Sequence, residues 1–190
     1  AFFKEMYAHP NYDDWWKARD ARTAMYGLKP AMLVVGGLFD AEDCYGAWNL
    51  YKAIEKQNPG IHNKIVMGPW SHGQWSTKDG SSLGNIRFNS NTAIWYQNNV
   101  EIPFFNYYLK GKGKDPQLPE ATIFFTGENQ WRKLDQWPPK ENRPRPIYLA
   151  PSGSLSWNLP TYVKDDIFTE YISDPAHPVH YTEDVHFGRT

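Results

Sequence analysis

The feature that most constrains the fold of this chain is a continuous apolar run at residues 31–39. Continuous rather than alternating apolarity indicates a strand that is covered on both faces, as in a parallel sheet. Residues 43–58 carry apolar side chains near helical spacing and precede Pro59 and Gly60, which predicts a crossover helix. A second short strand is predicted at residues 64–68. Together these elements predict a βαβ unit in a doubly wound sheet, whose ligands bind beyond the carboxyl ends of the strands.

An acid and a base follow these two strands. Asp40 comes directly after the first strand and His72 shortly after the second, so we expect both on loops at the same edge of the sheet. In a hydrolase triad a carboxylate fixes the imidazole tautomer, and the imidazole takes and returns the proton of a serine hydroxyl. The α/β-hydrolase chain order is Ser, then Asp or Glu, then His, and Asp40 before His72 agrees with its second half. The alternative is that Asp40 is a turn residue or helix cap and His72 a structural residue.

Several segments place this pair in a more specific context. They are Tyr12-Asp13-Asp14-Trp15-Trp16, Gly36-Gly37-Leu38-Phe39-Asp40, Gly68-Pro69-Trp70-Ser71-His72-Gly73 and Phe104-Phe105-Asn106-Tyr107-Tyr108-Leu109-Lys110-Gly111. With them the chain resembles the CocE/NonD family of X-Pro dipeptidyl-peptidase-like serine hydrolases, and within it most of all the α-amino acid ester hydrolases and the glutaryl-7-aminocephalosporanic acid acylases. The resemblance implies that Asp40 is the triad acid and His72 the triad base.

The fold class that follows is α/β. Residues 1–113 are expected to form the C-terminal portion of an α/β-hydrolase domain, together with the end of its cap region. A linker rich in Lys and Gly, residues 110–114, precedes a change of pattern. Residues 114–190 contain short strands punctuated by Pro and Gly, which predicts a β-sandwich or jelly-roll domain that is truncated before all of its strands are present.

Two further acids follow the predicted triad Asp in the segment Asp40-Ala41-Glu42-Asp43. The resemblance to α-amino acid ester hydrolases implies that Glu42 and Asp43 bind the α-ammonium group of the substrate. Such carboxylates would select substrates with a free α-amine, because a plain ester would leave buried anions without a partner. The alternative is that both acids only begin the next helix, whose dipole favours negative charge in the first turn.

The nucleophilic serine is expected upstream of Ala1, because no Gly-x-Ser-x-Gly elbow precedes Asp40. The segment Gly80-Ser81-Ser82-Leu83-Gly84 matches that pattern, but it follows His72 and has no apolar strand before it, so we interpret Ser82 as a loop serine. The oxyanion hole is expected upstream as well. The chain is therefore interpreted as a fragment that is inactive alone and has the rest of the hydrolase chain as a partner.

The predicted function is that of a serine esterase or acylase. It would cleave, or transfer acyl groups from, α-amino acid esters and amides through an acyl-enzyme, and the resemblance implies β-lactam antibiotics among its substrates. A glutaryl-type acylase, a cocaine-esterase-like enzyme and an X-Pro dipeptidyl-peptidase are alternatives within the family. A non-catalytic β-sandwich binding module is a further alternative, and it would require Trp131, Trp137 and Trp157 to form an exposed stacking surface.

Several other partners are not indicated. A formal net charge of −1 gives no electrostatic footprint for nucleic acid or an anionic membrane, and no apolar run is long enough to span a bilayer. We predict no cofactor and no metal, since the spacing of His177, His180 and His186 is irregular. A single cysteine, Cys44, excludes an internal disulfide. Self-association stays open, and the resemblance suggests a periplasmic or secreted enzyme of bacterial type.

Overall fold

The computed structural model describes residues 2–150, 153–159 and 170–180. The chain forms two compact units, of which the larger ends at Pro139 and the smaller covers residues 140–189. In chain order the larger unit contains α1 (Phe2–Ala8), α2 (Asp14–Lys17), a 3₁₀ turn (Ala21–Ala24), β1 (Met32–Gly37), α3 (Cys44–Gln57), β2 (Asn63–Gly68), α4 (Gln74–Thr77), β3 (Ser82–Leu83), β4 (Ile86–Arg87), α5 (Thr92–Tyr96), a π-helical turn (Gln97–Glu101), α6 (Ile102–Tyr108), β5 (Ala121–Phe125) and β6 (Gln130–Leu134).

The predicted βαβ unit lies at the centre of the larger unit. β1 and β2 pair in parallel over all six residues of each strand, and α3 connects them. The buried residues of α3, Tyr51 and Ile54, pack into one core with Val34 of β1 and with Ile65 and Met67 of β2. Each large apolar side chain buried there stabilises the unit by roughly 1.5–3 kcal/mol, which explains why one face of α3 stays on the strands.

A second core covers the opposite face of β2. Val66 packs there with Trp70, Ala93, Tyr96 and Val100, so helical residues of α5 and the π-helical turn lie over this face. Cover on both faces is what the continuous apolarity of the strand predicts. Within the described part of the chain, no helix combines the length and the apolarity that crossing a bilayer would need.

The sheet continues past the domain boundary that was predicted between residues 113 and 114. Its strand order is β1-β2-β5-β6, with β5 parallel to β2 and β6 antiparallel to β5. Burial explains this placement, because Ala121 to Phe124 of β5 are all buried and therefore need cover on both faces. Residues 121–134 thus complete a mixed α/β sheet instead of opening a separate β domain.

The smaller unit contains an antiparallel hairpin of β7 (Tyr148–Ala150) and β8 (Ser154–Ser156). The predicted jelly roll also takes in residues 151–152, 160–169 and 181–190, which lie outside the described residues, as does His186. His177 is described, and its Nδ1 lies 2.9 Å from an Asp174 carboxylate oxygen.

Capping residues and an apolar side predict one helix over residues 11–27, but the structure divides this segment into α2 and the 3₁₀ turn. Asp13 caps α2 by accepting a hydrogen bond from the Trp15 backbone N–H, and Asp20 caps the 3₁₀ turn in the same way through Arg22. Asp20 also binds the Arg22 guanidinium. A continuous helix would have placed Asp20 in the middle of the helix. Here the Asp20 carboxylate instead caps the start of a new turn.

Candidate active site

The loops after β1 and β2 lie directly on each other. The Leu38 N–H donates to the Gly68 carbonyl at 2.8 Å, and the Phe39 N–H donates to the Trp70 carbonyl at 3.1 Å. A Cβ on Gly37 would lie 2.2 Å from the Trp70 carbonyl oxygen, and one on Gly68 would lie 2.4 Å from the Trp70 indole ring. The two glycines therefore permit an approach between loops that a larger residue would prevent.

This approach brings Asp40 and His72 together. Asp40 Oδ2 lies 3.0 Å from His72 Nδ1, within hydrogen-bonding distance. The other oxygen, Oδ1, accepts hydrogen bonds from the backbone N–H groups of Glu42 at 2.9 Å and Asp43 at 3.1 Å. The Asp40 side chain is only 1% exposed. Both oxygens thus have partners inside the loop, which fixes the carboxylate against the imidazole.

The surroundings of Asp40 favour its ionised form. Burial by itself raises the pKa of the Asp40 carboxyl, but the backbone N–H groups of Asp43 and Glu42 and the imidazole of His72 together lower it more. The net result is a pKa below the ordinary value for aspartate. A carboxylate that is ionised and buried beside Nδ1 favours the tautomer with the proton on that nitrogen.

The imidazole of His72 is open on its other side. Its side chain is 48% exposed, and Nε2 makes no hydrogen bond to any residue that the structure describes. With the proton held on Nδ1, Nε2 is an acceptor that faces outward from the loop. This geometry suits a base that takes a proton from a group brought to it.

Gln74 holds the His72 loop and was not predicted from the sequence. Its side chain is buried, with Oε1 accepting from the Ser71 N–H at 3.1 Å and Nε2 donating to the Ser82 carbonyl at 2.8 Å. It thereby ties the backbone beside His72 to the β3–β4 hairpin. The available signal was weak, because a Gln next to a Gly-containing turn is ordinary in an exposed loop as well.

Of the two predicted substrate carboxylates, that of Asp43 lies beside this pair. Asp43 Oδ2 is 3.4 Å from His72 Nδ1, while its side chain is 67% exposed. Glu42 is exposed too, and its backbone N–H is committed to Asp40. In this chain both side chains are therefore exposed to water, and their role in binding an α-ammonium group stays a prediction.

Asp40, Asp43 and His72 each offer a possible metal-ligand atom within 4.8 Å of one another. Both oxygens of Asp40 already accept hydrogen bonds from protein groups, and Nδ1 of His72 faces the same carboxylate. Hydrogen bonding within the loop pair accounts for the cluster, so we assign no ion to it.

Ser82, the decoy in the literal elbow pattern, begins the short strand β3. Its carbonyl accepts from Gln74, and among the described residues no hydrogen bond joins its hydroxyl to His72. A nucleophile elbow places serine on a sharp turn from a strand into a helix. Ser82 instead lies in a short antiparallel strand pair with Arg87 as its partner, so it is not on such a turn.

The tryptophans at issue for a binding module pack mostly inside the larger unit. Trp131 stacks on Trp95 with ring centroids 4.7 Å apart, and Trp137 stacks on Trp48 at 4.8 Å. Trp157 is 55% exposed. Two of the three rings are therefore engaged with helical residues of the α/β unit, which argues against an exposed aromatic platform.

Known proteins are similar to this chain in both sequence and fold. Residues 1–74, which include Asp40 and His72, match the family model of X-Pro dipeptidyl-peptidase (S15 family). Cocaine esterase from Rhodococcus sp. (strain MB1 Bresler) is 24% identical over 178 residues, which is 90% of this chain and 30% of the esterase.

Two solved structures extend the similarity. An aminopeptidase from a marine sediment archaeon, Thaumarchaeota archaeon, is 38% identical with a TM-score of 0.85 over 96% of this chain. An α-amino acid ester hydrolase is 35% identical with a TM-score of 0.82 over 94% of this chain. The chain spans 30% of the length of each of these proteins and of the cocaine esterase.

Proposed function

We propose that this chain, which belongs to the CocE/NonD family of X-Pro dipeptidyl-peptidase-like proteins, is part of a serine hydrolase and supplies the acid and the base of its triad. The observation that carries the proposal is the 3.0 Å contact between Asp40 Oδ2 and His72 Nδ1. The two side chains lie on loops after neighbouring parallel strands, where a doubly wound fold gathers its chemistry.

The chemistry follows from the state of each group. Asp40, ionised and buried, orients the imidazole and stabilises the imidazolium that forms when His72 Nε2 takes a proton. The serine that gives this proton, and the N–H groups that bind the oxyanion, would come from the remaining part of the hydrolase chain. The acyl-enzyme then formed is hydrolysed when the same imidazole activates water, or passes its acyl group to another nucleophile.

For the substrate we propose esters and amides of α-amino acids, with β-lactam antibiotics that carry α-amino acyl side chains among them. Asp43 supports this, because its carboxylate lies 3.4 Å from His72 Nδ1, beside the base, where the α-ammonium group of a bound acyl donor would lie. Glu42 precedes it in the same loop and is exposed. The names of the two solved structures, an aminopeptidase and an α-amino acid ester hydrolase, both describe enzymes that act beside an α-amino group.

A hydrolase of amine-free esters is the second candidate. The exposure of Glu42 and Asp43 favours it, because carboxylates in contact with water discriminate only weakly against a substrate that lacks a charge. Similarity to cocaine esterase points in the same direction.

The same proposal extends to the architecture. We assign the sheet β1-β2-β5-β6 to the C-terminal part of an α/β-hydrolase domain. We assign residues after 139 to the start of an all-β jelly-roll domain, for which the β7–β8 hairpin is the supporting feature.

The experiment uses the full-length protein, an α-amino acid ester and the matching ester without the amine. Asp40→Asn should lower kcat by roughly 10⁴-fold, because the imidazole loses the carboxylate that fixes its tautomer, and His72→Ala should abolish turnover. His62→Ala is the matched control, since His62 precedes β2 at the opposite end of the strand, and it should keep wild-type rates.

Stopped-flow or steady-state ester assays measure these rates. If the His72→Ala variant retains ester turnover, the triad assignment is wrong. Equal kcat/KM for the two esters in the wild-type enzyme would instead favour the second candidate over an α-amino acid substrate.

A further inference from the structure

We propose that Asp43 is a positioning residue for the base, whose negative charge beside Nδ1 of His72 adds to the hydrogen bond that Asp40 makes with the same nitrogen. The inference rests on the proposed hydrolase function and deepens it. It gives Asp43 a role that acts on every substrate, in addition to any part that it has in binding an ammonium group.

Two carboxylates lie against the same ring nitrogen. His72 Nδ1 lies 3.0 Å from Asp40 Oδ2 and 3.4 Å from Asp43 Oδ2. The shorter contact belongs to the buried carboxylate and the longer one to the exposed carboxylate. Nδ1 is therefore hydrogen-bonded to one carboxylate and lies close to the charge of a second, which restrains a side chain that is itself half exposed.

The position of Asp43 in its helix supports the same conclusion. Asp43 is the N-cap of α3, a place where Asp normally accepts a hydrogen bond from a backbone N–H in the first turn. Asp13 and Asp20 do so at their own N-caps, through the N–H groups of Trp15 and Arg22. The Asp43 side chain makes no such cap bond. It forgoes the usual stabilisation of a helix start and faces the imidazole.

A hydrogen bond also joins Asp43 to Asp40. The backbone N–H of Asp43 donates to Asp40 Oδ1 at 3.1 Å, while Asp40 Oδ2 contacts the imidazole. Asp40 is therefore hydrogen-bonded both to the Asp43 backbone and to the imidazole, and the Asp43 carboxylate lies beside that imidazole. Asp40 supplies the dominant restraint, and Asp43 limits rotation of the exposed ring away from it.

The two roles of Asp43, binding an ammonium group and positioning His72, predict different effects on an ester that has no amine. If Asp43 only bound an ammonium group, its charge would not matter for an ester that has no amine. If it also positions His72, removal of its charge slows turnover of the amine-free ester, with little effect on KM because that substrate makes no ion pair with Asp43.

The test compares Asp43→Asn with wild type in the full-length enzyme, on the amine-free ester. Asn is a good N-cap residue, so α3 should remain intact and the melting temperature should change little. We expect kcat to fall about two- to five-fold at low salt, the range for a largely exposed charge pair, with KM unchanged. The loss should shrink at high salt, because an exposed carboxylate is screened.

Asp14→Asn is the matched control. Asp14 is an Asp in the first turn of another helix, its side chain is 97% exposed, and it pairs with Lys17 at the surface. It should retain wild-type kcat at every salt concentration. A kcat of Asp43→Asn equal to wild type at low salt, or a loss independent of salt, overturns the positioning role.

These outcomes differ from failure of the proposed function. If wild type hydrolyses the ester and Asp40→Asn does not, the triad stands whatever Asp43→Asn does. If His72→Ala retains turnover, the triad falls, and the role of Asp43 falls with it.

Discussion

At the scale of single residues, the ionisation of Asp40 decides what the site can do. Its burial opposes a negative charge, while two backbone N–H groups and the imidazole of His72 favour it more strongly in sum. The same balance links Asp40 to stability, because a group whose pKa differs between folded and unfolded chains makes stability depend on pH.

Asp40 should therefore stabilise the fold at neutral pH and lose that effect in acid. Its folded pKa lies below the unfolded value of 3.8, so its contribution is present above that value and declines as the pH falls through the folded pKa. Compared with Asp40→Asn, wild type should have the larger unfolding free energy at pH 7, and the difference should narrow below about pH 4. Urea unfolding followed by tryptophan fluorescence measures both. A difference that stays constant from pH 7 to pH 3 would contradict the role of the ionised form.

At the scale of elements, the site depends on how closely the ends of β1 and β2 approach. Gly37 and Gly68 keep that approach possible, while Gln74 fastens the His72 loop to the hairpin that follows it. The distance between Asp40 and His72 is thus set by backbone contacts as much as by the two side chains.

Gly37→Ala should disturb this junction. A Cβ only 2.2 Å from the Trp70 carbonyl oxygen forces the two loops apart, which should cost about 1–3 kcal/mol of unfolding free energy and reduce ester turnover in the full-length enzyme. Gly46→Ala is the contrasting change, since the nearest atom to its new Cβ lies at 3.9 Å and Ala is favoured over Gly inside a helix by about 0.5–1 kcal/mol. Chemical denaturation gives both values. Equal effects of the two substitutions would show that the close approach does not control the site.

The elements of the βαβ unit could be predicted from local sequence, because continuous apolarity and helical spacing are local properties. The strands and the crossover helix fall within one or two residues of their predicted ends. Gln74 could not be predicted, because its function depends on Ser82, which the fold brings to it. The division of the helix before β1 depends on Asp20, whose role is visible only once Arg22 is placed against it.

At the scale of the whole molecule, the sheet is larger than the local pattern suggests. The short strands after residue 114 resemble a separate β module, yet β5 pairs in parallel with β2. The run at residues 121–125 is nearly as continuous in its apolarity as residues 31–39, which is a signal for a strand covered on both faces. The closely spaced Pro and Gly residues around that run favoured the prediction of a sandwich strand instead. More than fifty residues separate β2 from β5 in the chain. Their pairing therefore depends on the tertiary fold and could not be predicted from the local pattern.

Truncation of the full-length protein tests where the α/β unit ends. A chain ending after residue 139 keeps β5 and β6, whereas one ending after residue 113 exposes the edge of β2 and leaves Ile65 and Met67 without Ala121 and Ile123 in their shared core. The longer form should fold as a monodisperse protein with protected β2 amides, because the buried strand still has its neighbour on each side. The shorter form should aggregate, since an unpaired apolar strand edge is a site for association. Size-exclusion chromatography and hydrogen exchange distinguish the two forms, and equal protection of β2 in both would place the end of the unit before β5.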